Sequence, residues 1–145
     1  MPYMWADTLE AAERAHLLRL LIWAAVSVLT GTALLAWLRA GARRSALLQH
    51  FAIQSAAWGL VDAAIAVGLM THIGPRDIAS ATRLDRLLWL NIGLDAGYAL
   101  VGFTLIACGW RSGRRLGLVG AGIGVVVQGS ALALLDLVLA AQISR

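Results

Sequence analysis

The placement of charged residues constrains this chain more than any other feature of its sequence. Only 12 basic and 8 acidic residues occur among 145 residues. They leave four segments with at most one charge each: 20–38 with none, 45–75 with Asp62, 87–110 with Asp95, and 116–144 with Asp136. Each segment reaches the ~20 residues that an α-helix needs to cross ~30 Å of hydrocarbon. Since backbone groups in lipid must be hydrogen-bonded within their own segment, the pattern predicts four transmembrane helices.

The predicted fold is therefore all-α, a bundle of four transmembrane helices in one domain over residues 1–145. The predicted helices cover about 8–39, 45–72, 84–110 and 115–142. Gly74 and Pro75 are expected to stop the second helix. Thr82 with Asp85, or alternatively Ser80, is expected to cap the third. Another alternative for this region is a short interfacial helix over residues 78–87.

Arginines in the connections predict the orientation of the bundle. Six of them, with no acidic residue, follow the first and third helices: Arg39, Arg43, Arg44, Arg111, Arg114 and Arg115. Because basic connections stay on the cytoplasmic side, both termini are predicted to lie on the non-cytoplasmic side of a bacterial inner membrane.

The composition excludes several kinds of chemistry. All 12 basic residues are arginines, so neither a lysine Schiff base nor a phosphate-binding loop lysine can form. The single cysteine, Cys108, cannot make a disulfide within the chain. A sequence pI near 10.6 is explained by the arginine-rich connections, so we expect no nucleic-acid partner. Without a nucleophile constellation or a paired-histidine motif, we expect no enzyme, no metal site and no other cofactor.

Polar side chains inside the apolar segments identify the candidate site. Counted at 1.5 Å per residue from the predicted non-cytoplasmic helix ends, Asp62 and Asp95 lie ~12–14 Å deep. Asp136 and Asn91 lie shallower, at ~6–8 Å. The predicted polar core consists of Asp62, Asp95, Asp136, Asn91, Tyr98, Gln54 and Gln128, with His50 and Trp58 as secondary members.

Buried carboxylates without partners are costly in a low dielectric, so three interpretations of this core stay open. Neutral aspartates bonded to amides would hold the helices together, as in an accessory subunit of a membrane complex. Carboxyls neutralised by a proton or cation would instead serve a small coupled transporter. The third interpretation is a lipid- or quinone-binding module around Trp58.

Further predictions concern the location of histidines and tryptophans and the packing of helices at glycines. His16 is expected at the non-cytoplasmic interface, and Trp23 is interpreted as an interfacial anchor. The pairs Gly93/Gly97, Gly113/Gly117 and Gly120/Gly124 predict close helix packing, within the chain or across a homodimer. The bilayer itself is the remaining expected partner.

An internal repeat is suggested by the spacing of polar residues. Gln54 and Asp62 are eight residues apart, as are Gln128 and Asp136, and both arginine-rich connections follow a tryptophan. The first and last pairs of helices are therefore predicted to be two similar hairpins.

Three segments also carry a resemblance to other proteins. QSAAWGLVDAAIA, NIGLDAGY and VVQGSALALLD resemble segments of uncharacterised bacterial four-helix integral membrane proteins. The resemblance covers the three later helices and implies a four-helix membrane fold. It implies no activity. It rests on Gln54, Trp58, Gly59, Asp62, Asn91, Asp95, Gln128 and Asp136.

Overall fold

A computed structural model describes residues 4–41 and 44–143, and all of its secondary structure is α-helical. The four helices are α1 (Met4–Ala40), α2 (Ala46–Met70), α3 (Ile78–Arg111) and α4 (Leu116–Ile143). Each is long and apolar enough to cross a membrane. The prediction of an all-α bundle of four such helices is confirmed, and the protein is a multi-pass membrane protein. Its orientation stays a prediction, and Arg43 lies outside the described residues.

Helix α3 begins at Ile78, earlier than the predicted residue 84. Its cap is Asp77, whose Oδ1 accepts a hydrogen bond of 2.8 Å from the backbone N–H of Ser80. A hydrogen bond from the Ser80 hydroxyl, together with this backbone bond, holds the pKa of Asp77 below its usual range. Thr82 lies inside the first turn, where its hydroxyl donates to the carbonyl of Ile78. The prediction that Thr82 or Ser80 caps α3 was therefore wrong, because Asp77 satisfies the free N–H groups first.

Helix α4 lies at the centre of the bundle and contacts the other three helices. α1 packs along α2, and α3 packs along α4, which gives two hairpins. α1 also contacts α4, whereas the described backbone of α3 lies beside α4 alone. We call the end where α1 and α3 begin the terminal end, and the end where α2 and α4 begin the connection end.

Glycines bring the helix backbones together toward the connection end. A Cβ atom at Gly31 of α1 would lie 2.5 Å from the carbonyl oxygen of Ala52 in α2. One at Gly122 of α4 would lie 2.7 Å from the carbonyl oxygen of Gly102 in α3. A Cβ at Gly120 would overlap the carbonyl oxygen of Leu47 in α2. No side chain fits at these positions, so only glycine allows this packing.

The predicted glycine pairs differ in their surroundings. A Cβ at Gly124 would lie 2.9 Å from the Gln54 side chain, so Gly120/Gly124 packs α4 closely on α2, as predicted. Gly93 and Gly97 of α3 face open space in the structure. Close packing within the chain was therefore the wrong expectation for that pair.

Candidate functional site

The first polar contact of the core joins three helices. Asp62 of α2 and Gln128 of α4 are 3% and 5% exposed, respectively. The Gln128 amide donates a short hydrogen bond from Nε2 to Oδ2 of Asp62. Its Oε1 accepts a hydrogen bond of 3.2 Å from the indole N–H of Trp23 in α1. Gln128 therefore uses both ends of its amide to connect α1, α2 and α4.

The second contact lies closer to the terminal end and joins α1 to α4. Nε2 of His16 lies 3.3 Å from Oδ1 of Asp136, and each residue is only 9% exposed. Nδ1 of His16 is buried and meets no hydrogen-bond partner among the described residues. The ring therefore offers Nε2 to Asp136 and also lies against the backbone of Leu135, the residue before Asp136 in α4.

The third contact joins α1 to the connection between α2 and α3. The guanidinium of Arg76 donates to both carboxylate oxygens of Glu13, at 2.5 and 2.9 Å. Glu13 is buried, whereas the Arg76 side chain is 30% exposed. These bonds to a carboxylate raise the pKa of Arg76 above its usual value. Since Glu13 and His16 are three residues apart, they lie on the same face of α1.

Asp95 of α3 differs from the other two aspartates because its carboxyl makes no hydrogen bond or ion pair with a described residue. It is half-buried beside a cavity of about 40 Å³. The rings of Trp58 and Tyr98 meet edge to face there, with centroids 5.2 Å apart. The cavity is lined by Trp58, Asp95, Tyr98, Gln128, Gly129 and Leu132.

We call Asp62, Asp95 and Asp136 the carboxyl row. Asp62 and Asp95 both lie beside Gln128, which donates to Asp62 and lines the cavity at Asp95. Asp136 lies eight residues further along α4 than Gln128. The ring of His16 lies near Glu13 and Arg19 of its own helix and near the backbone of Leu135 in α4. The convergence of all three aspartates on one site stays a prediction.

Asn91 does not join this core. It is exposed on α3, so the prediction that it converges with the aspartates was wrong. Leu88, Asp95, Gly102 and Gly109 repeat at intervals of seven residues along the side of α3 that faces α4. Asn91 follows Leu88 by three residues and is turned about 60° away, toward a side without a neighbouring helix.

Gln54 and His50, which the sequence analysis assigned to the polar core, lie toward the connection end and outside the row. The Gln54 side chain packs on Gly124, and the ring of His50 packs on Gly117. Neither makes a hydrogen bond with a described residue. Tyr98, predicted in the core, is 45% exposed and reaches it only through the small cavity beside Trp58.

Sequence reasoning missed three members of the site: Glu13, His16 and Trp23. His16 and Trp23 were both placed at the interface, whereas the structure gives each a partner in α4. A signal for two of them was present in α1, where buried residues recur at intervals of three or four. They are Leu9, Glu13, His16, Leu20, Ala24 and Ser27. This spacing is typical of a helix seam that faces a neighbouring helix.

No metal centre is apparent. Across residues 4–41 and 44–143, no group of three or more histidine, cysteine, aspartate or glutamate side chains is arranged to hold a metal ion. A carboxyl row of this kind can instead hold protons, or one small cation beside Asp95.

Comparison with known proteins identifies the family of the chain. No curated protein matches the sequence, and no solved structure matches the chain. One family model, described as a family of unknown function (DUF6992), matches residues 19–137. This range covers most of the chain and includes the three aspartates and Gln128. The chain therefore belongs to the DUF6992 family of unknown function.

Proposed function

We propose that this four-span membrane protein is a non-enzymatic protein of the bacterial inner membrane that serves as an accessory subunit of a membrane complex. Its polar core fixes the register of α1, α2 and α4. Its third helix presents an unpaired surface to a partner.

The observation that carries this proposal is the matching of donors and acceptors between helices. Gln128 bonds both Asp62 and Trp23, His16 meets Asp136, and Arg76 meets Glu13. Polar contacts between membrane helices typically contribute about 0.6–2 kcal/mol each and restrict the helices to one register. Such an arrangement is typical of a core that holds a bundle together.

The role as a subunit is supported by Asn91. This residue lies in the apolar part of α3, is exposed, and makes no hydrogen bond with a described residue. An amide in hydrocarbon is unfavourable without a hydrogen-bond partner. A second membrane-spanning chain, or a second copy of this one, would supply that partner.

The test is purification from the native membrane in mild detergent, followed by native mass spectrometry. The wild-type chain is expected to co-purify with a second membrane chain, and Asn91→Leu is expected to lose it. Leu100→Ala is the matched control, because Leu100 is exposed on the same helix. A wild-type protein that purifies as a monomer would contradict the proposal, and so would a partner that Asn91→Leu retains.

A second candidate, a proton- or cation-coupled transporter, is favoured by the free carboxyl of Asp95. The cavity of about 40 Å³ at this carboxyl has room for a water molecule or a small cation. The same cavity is too small for a quinone ring, so the predicted lipid or quinone site around Trp58 gains no support from it.

Asparagine variants separate the two candidates. Asp62→Asn and Asp95→Asn are compared by thermal unfolding in detergent and by ion-driven uptake into liposomes. A structural core predicts lower unfolding temperatures and no flux that depends on the carboxyls. Unchanged unfolding temperatures together with lost flux would favour the transporter and would contradict a purely structural role for the polar core.

A further inference from the structure

We propose that the large cavity at the terminal end binds the headgroup of a phospholipid that carries a primary ammonium, with the acyl chains of the lipid running between α1 and α3. This inference goes beyond the proposed function, because it requires neither a partner chain nor a flux of ions.

The cavity has the size of a small-molecule site. Its volume is about 480 Å³, and it lies among the first turns of α1, the first turns of α3 and the last turn of α4. Ligand sites in proteins typically occupy about 300–1,000 Å³. Three helices therefore enclose a space that accommodates a lipid headgroup. It is lined by Trp5, Thr8, Leu9, Ala12, Ala81, Thr82, Asp85, Gln142 and Ile143.

The polar side chains of the cavity offer hydrogen-bond acceptors. The carboxyl of Asp85 makes no hydrogen bond or ion pair with a described residue. The hydroxyl of Thr8 donates to the carbonyl of Trp5 at 2.8 Å. The hydroxyl of Thr82 donates to the carbonyl of Ile78 at the same distance. Because both hydroxyl hydrogens are used within their own helix, the two oxygens are left to accept from a ligand.

The charge of the cavity selects a cation. None of the described residues that line it is basic, so the carboxyl of Asp85 is its one charged group. Trp5 lies on the α1 side and Asp85 on the α3 side, and a cation between them is attracted by the carboxylate and by the face of the indole ring. A primary ammonium carries this charge together with three N–H donors, which match the acceptors present.

The cavity lies at the depth of lipid headgroups. α1 and α3 are 37 and 34 residues long, whereas about 20 residues cross the hydrocarbon core. Exposed charged residues return at the level of the cavity, where Arg14 belongs to α1 and Arg83 and Arg86 belong to α3. The first turns of both helices therefore extend beyond the hydrocarbon, and the cavity between them meets the headgroup layer.

A groove for acyl chains leads away from the cavity. The described backbones of α1 and α3 make no contact with each other, so α4 forms the floor between them. This floor is apolar, because Leu88 of α3 and Leu139 of α4 are buried together and Ala12 of α1 packs against them. A soluble amine would leave the groove empty, whereas a lipid fills it with methylene groups. The groove therefore favours a lipid as the source of the ammonium.

Arg19 supplies a partner for the lipid phosphate. Trp5, Ala12 and Arg19 follow one another at intervals of seven residues, so they lie on the same side of α1. Arg19 lies about 10 Å deeper than Ala12 along the helix, and its side chain leans toward the helix N-terminus and hence toward the cavity.

The guanidinium of Arg19 is also free to bind. It makes no hydrogen bond or ion pair with a described residue, and its Nη1 is buried without a partner there. Guanidinium groups bind phosphate oxygens with strong, charge-assisted hydrogen bonds. The order of the two groups fits a phospholipid, whose phosphate lies deeper in the membrane than its ammonium.

The test is lipid binding by the full-length protein, measured by native mass spectrometry in detergent. Delipidated protein is titrated with phosphatidylethanolamine or with phosphatidylglycerol of the same acyl chains. The wild type is expected to bind phosphatidylethanolamine about tenfold more tightly, because phosphatidylglycerol has no ammonium for Asp85. Asp85→Asn is expected to lose this preference. Asp7→Asn, which removes an exposed acid of α1 outside the cavity, is the matched control and should keep it.

Two further arms test the phosphate and the source of the ammonium. Arg19→Gln is expected to weaken both lipids by about tenfold and to keep the preference, since both lipids carry the phosphate. Glycerophosphoethanolamine, which is the same headgroup without acyl chains, is expected not to displace the bound lipid at equal concentration.

The proposal is overturned if the wild type binds the two lipids equally, if Asp85→Asn keeps the preference, or if Asp7→Asn loses it to the same extent. An Arg19→Gln protein with unchanged lipid affinities also overturns it. Displacement by glycerophosphoethanolamine would identify a soluble amine as the ligand and exclude the lipid. Thermal unfolding checks that each variant is folded, and the Asp85→Asn arm decides the question if Arg19→Gln is not. Failure of the proposed function would appear separately, as a wild-type protein that purifies without a partner chain.

Discussion

Toward the connection end, the helices of this protein meet through glycines, whereas toward the terminal end they meet through polar side chains. Gly120 lies against the backbone of Leu47, and Gly122 lies against Gly102. At the other end, His16 meets Asp136 and Glu13 meets Arg76. Apolar surface alone gives little driving force for helix association in lipid. Close packing at glycines and contacts between polar side chains can each hold membrane helices together.

The two ends of the bundle also differ in the space that they leave between helices. Backbone-to-backbone contacts leave no room beside them, whereas contacts between long polar side chains leave gaps. A cavity of about 480 Å³ opens at the terminal end among α1, α3 and α4, where Trp5, Asp85 and Gln142 are among its lining residues. The small cavity at Asp95 lies deeper in the same bundle. The connection end is therefore the more closely packed end of the bundle, and the terminal end is the more open one.

The largest expected effect comes from a substitution that breaks a glycine contact between helices. Gly120→Ala should lower the stability by about 3 kcal/mol, because the new methyl group overlaps a backbone carbonyl that cannot move independently. Gly93→Ala is the control and should leave stability within about 0.5 kcal/mol, since Gly93 faces open space. Thermal unfolding in detergent measures both. Equal losses of stability in the two variants would contradict the distinction between a glycine that packs against a neighbouring helix and one that faces open space.

A smaller effect is expected at the centre of the polar core. Gln128→Leu removes two hydrogen bonds and leaves the buried carboxyl of Asp62 without its donor, which should cost about 2 kcal/mol. Gln54→Leu should cost much less, because Gln54 makes no hydrogen bond with a described residue. Chemical unfolding of the two variants in mixed micelles gives the comparison. If Gln54→Leu proves the more destabilising, the assignment of the core is wrong.

At the terminal end, Arg76→Ala should cost about 1 kcal/mol, because the pair with Glu13 is only partly buried. Arg86→Ala, which removes an exposed arginine of α3, is expected to be neutral. Unfolding temperatures of these variants are compared at low and high salt. A loss that grows with added salt would contradict an ion-pair origin.

The smallest effect concerns the start of α3. The pKa of Asp77 is lowered by its hydrogen bonds to Ser80, so its cap stabilises the folded state above the ordinary aspartate pKa. That stabilisation is lost as the pH falls through the lowered pKa. Hydrogen exchange should show the amides of residues 79–81 losing protection in acid, and Asp77→Ala should lose it at neutral pH as well. Protection that is independent of pH would exclude the cap.

The number of helices was predictable from sequence because charge placement alone determines where a segment can lie in lipid. The three aspartates stand out in the sequence as charges inside apolar segments, whereas their depth in a membrane stays a prediction from helix rise. The rotation of each helix about its axis could not be predicted from the sequence. Asn91 and Asp95 are one turn apart, yet only Asp95 lies on the side of α3 that faces α4, because the backbone of α3 packs along α4 alone.

The side chains that pair with the aspartates also could not be predicted from the sequence. The suggested repeat would give Asp62 and Asp136 equivalent partners, but Asp62 bonds Gln128 whereas Asp136 meets His16. The helix contacts differ as well, since α1 contacts α4 while the described part of α3 makes no backbone contact with α2. Whether the two hairpins arose by duplication stays a prediction. Contacts between helices distant in sequence depend on the arrangement of the whole bundle, which local spacing does not encode.

Amide hydrogen exchange of the wild-type protein in detergent tests the contrast between the two ends most directly. Along α4, the account predicts that amides near Gly120, Gly122 and Gly124 stay protected far longer than those near Asp136. The same order should appear along α2, with slower exchange near Ala52 than near Ala66. Uniform protection along both helices, or faster exchange at the glycine contacts, would contradict the account.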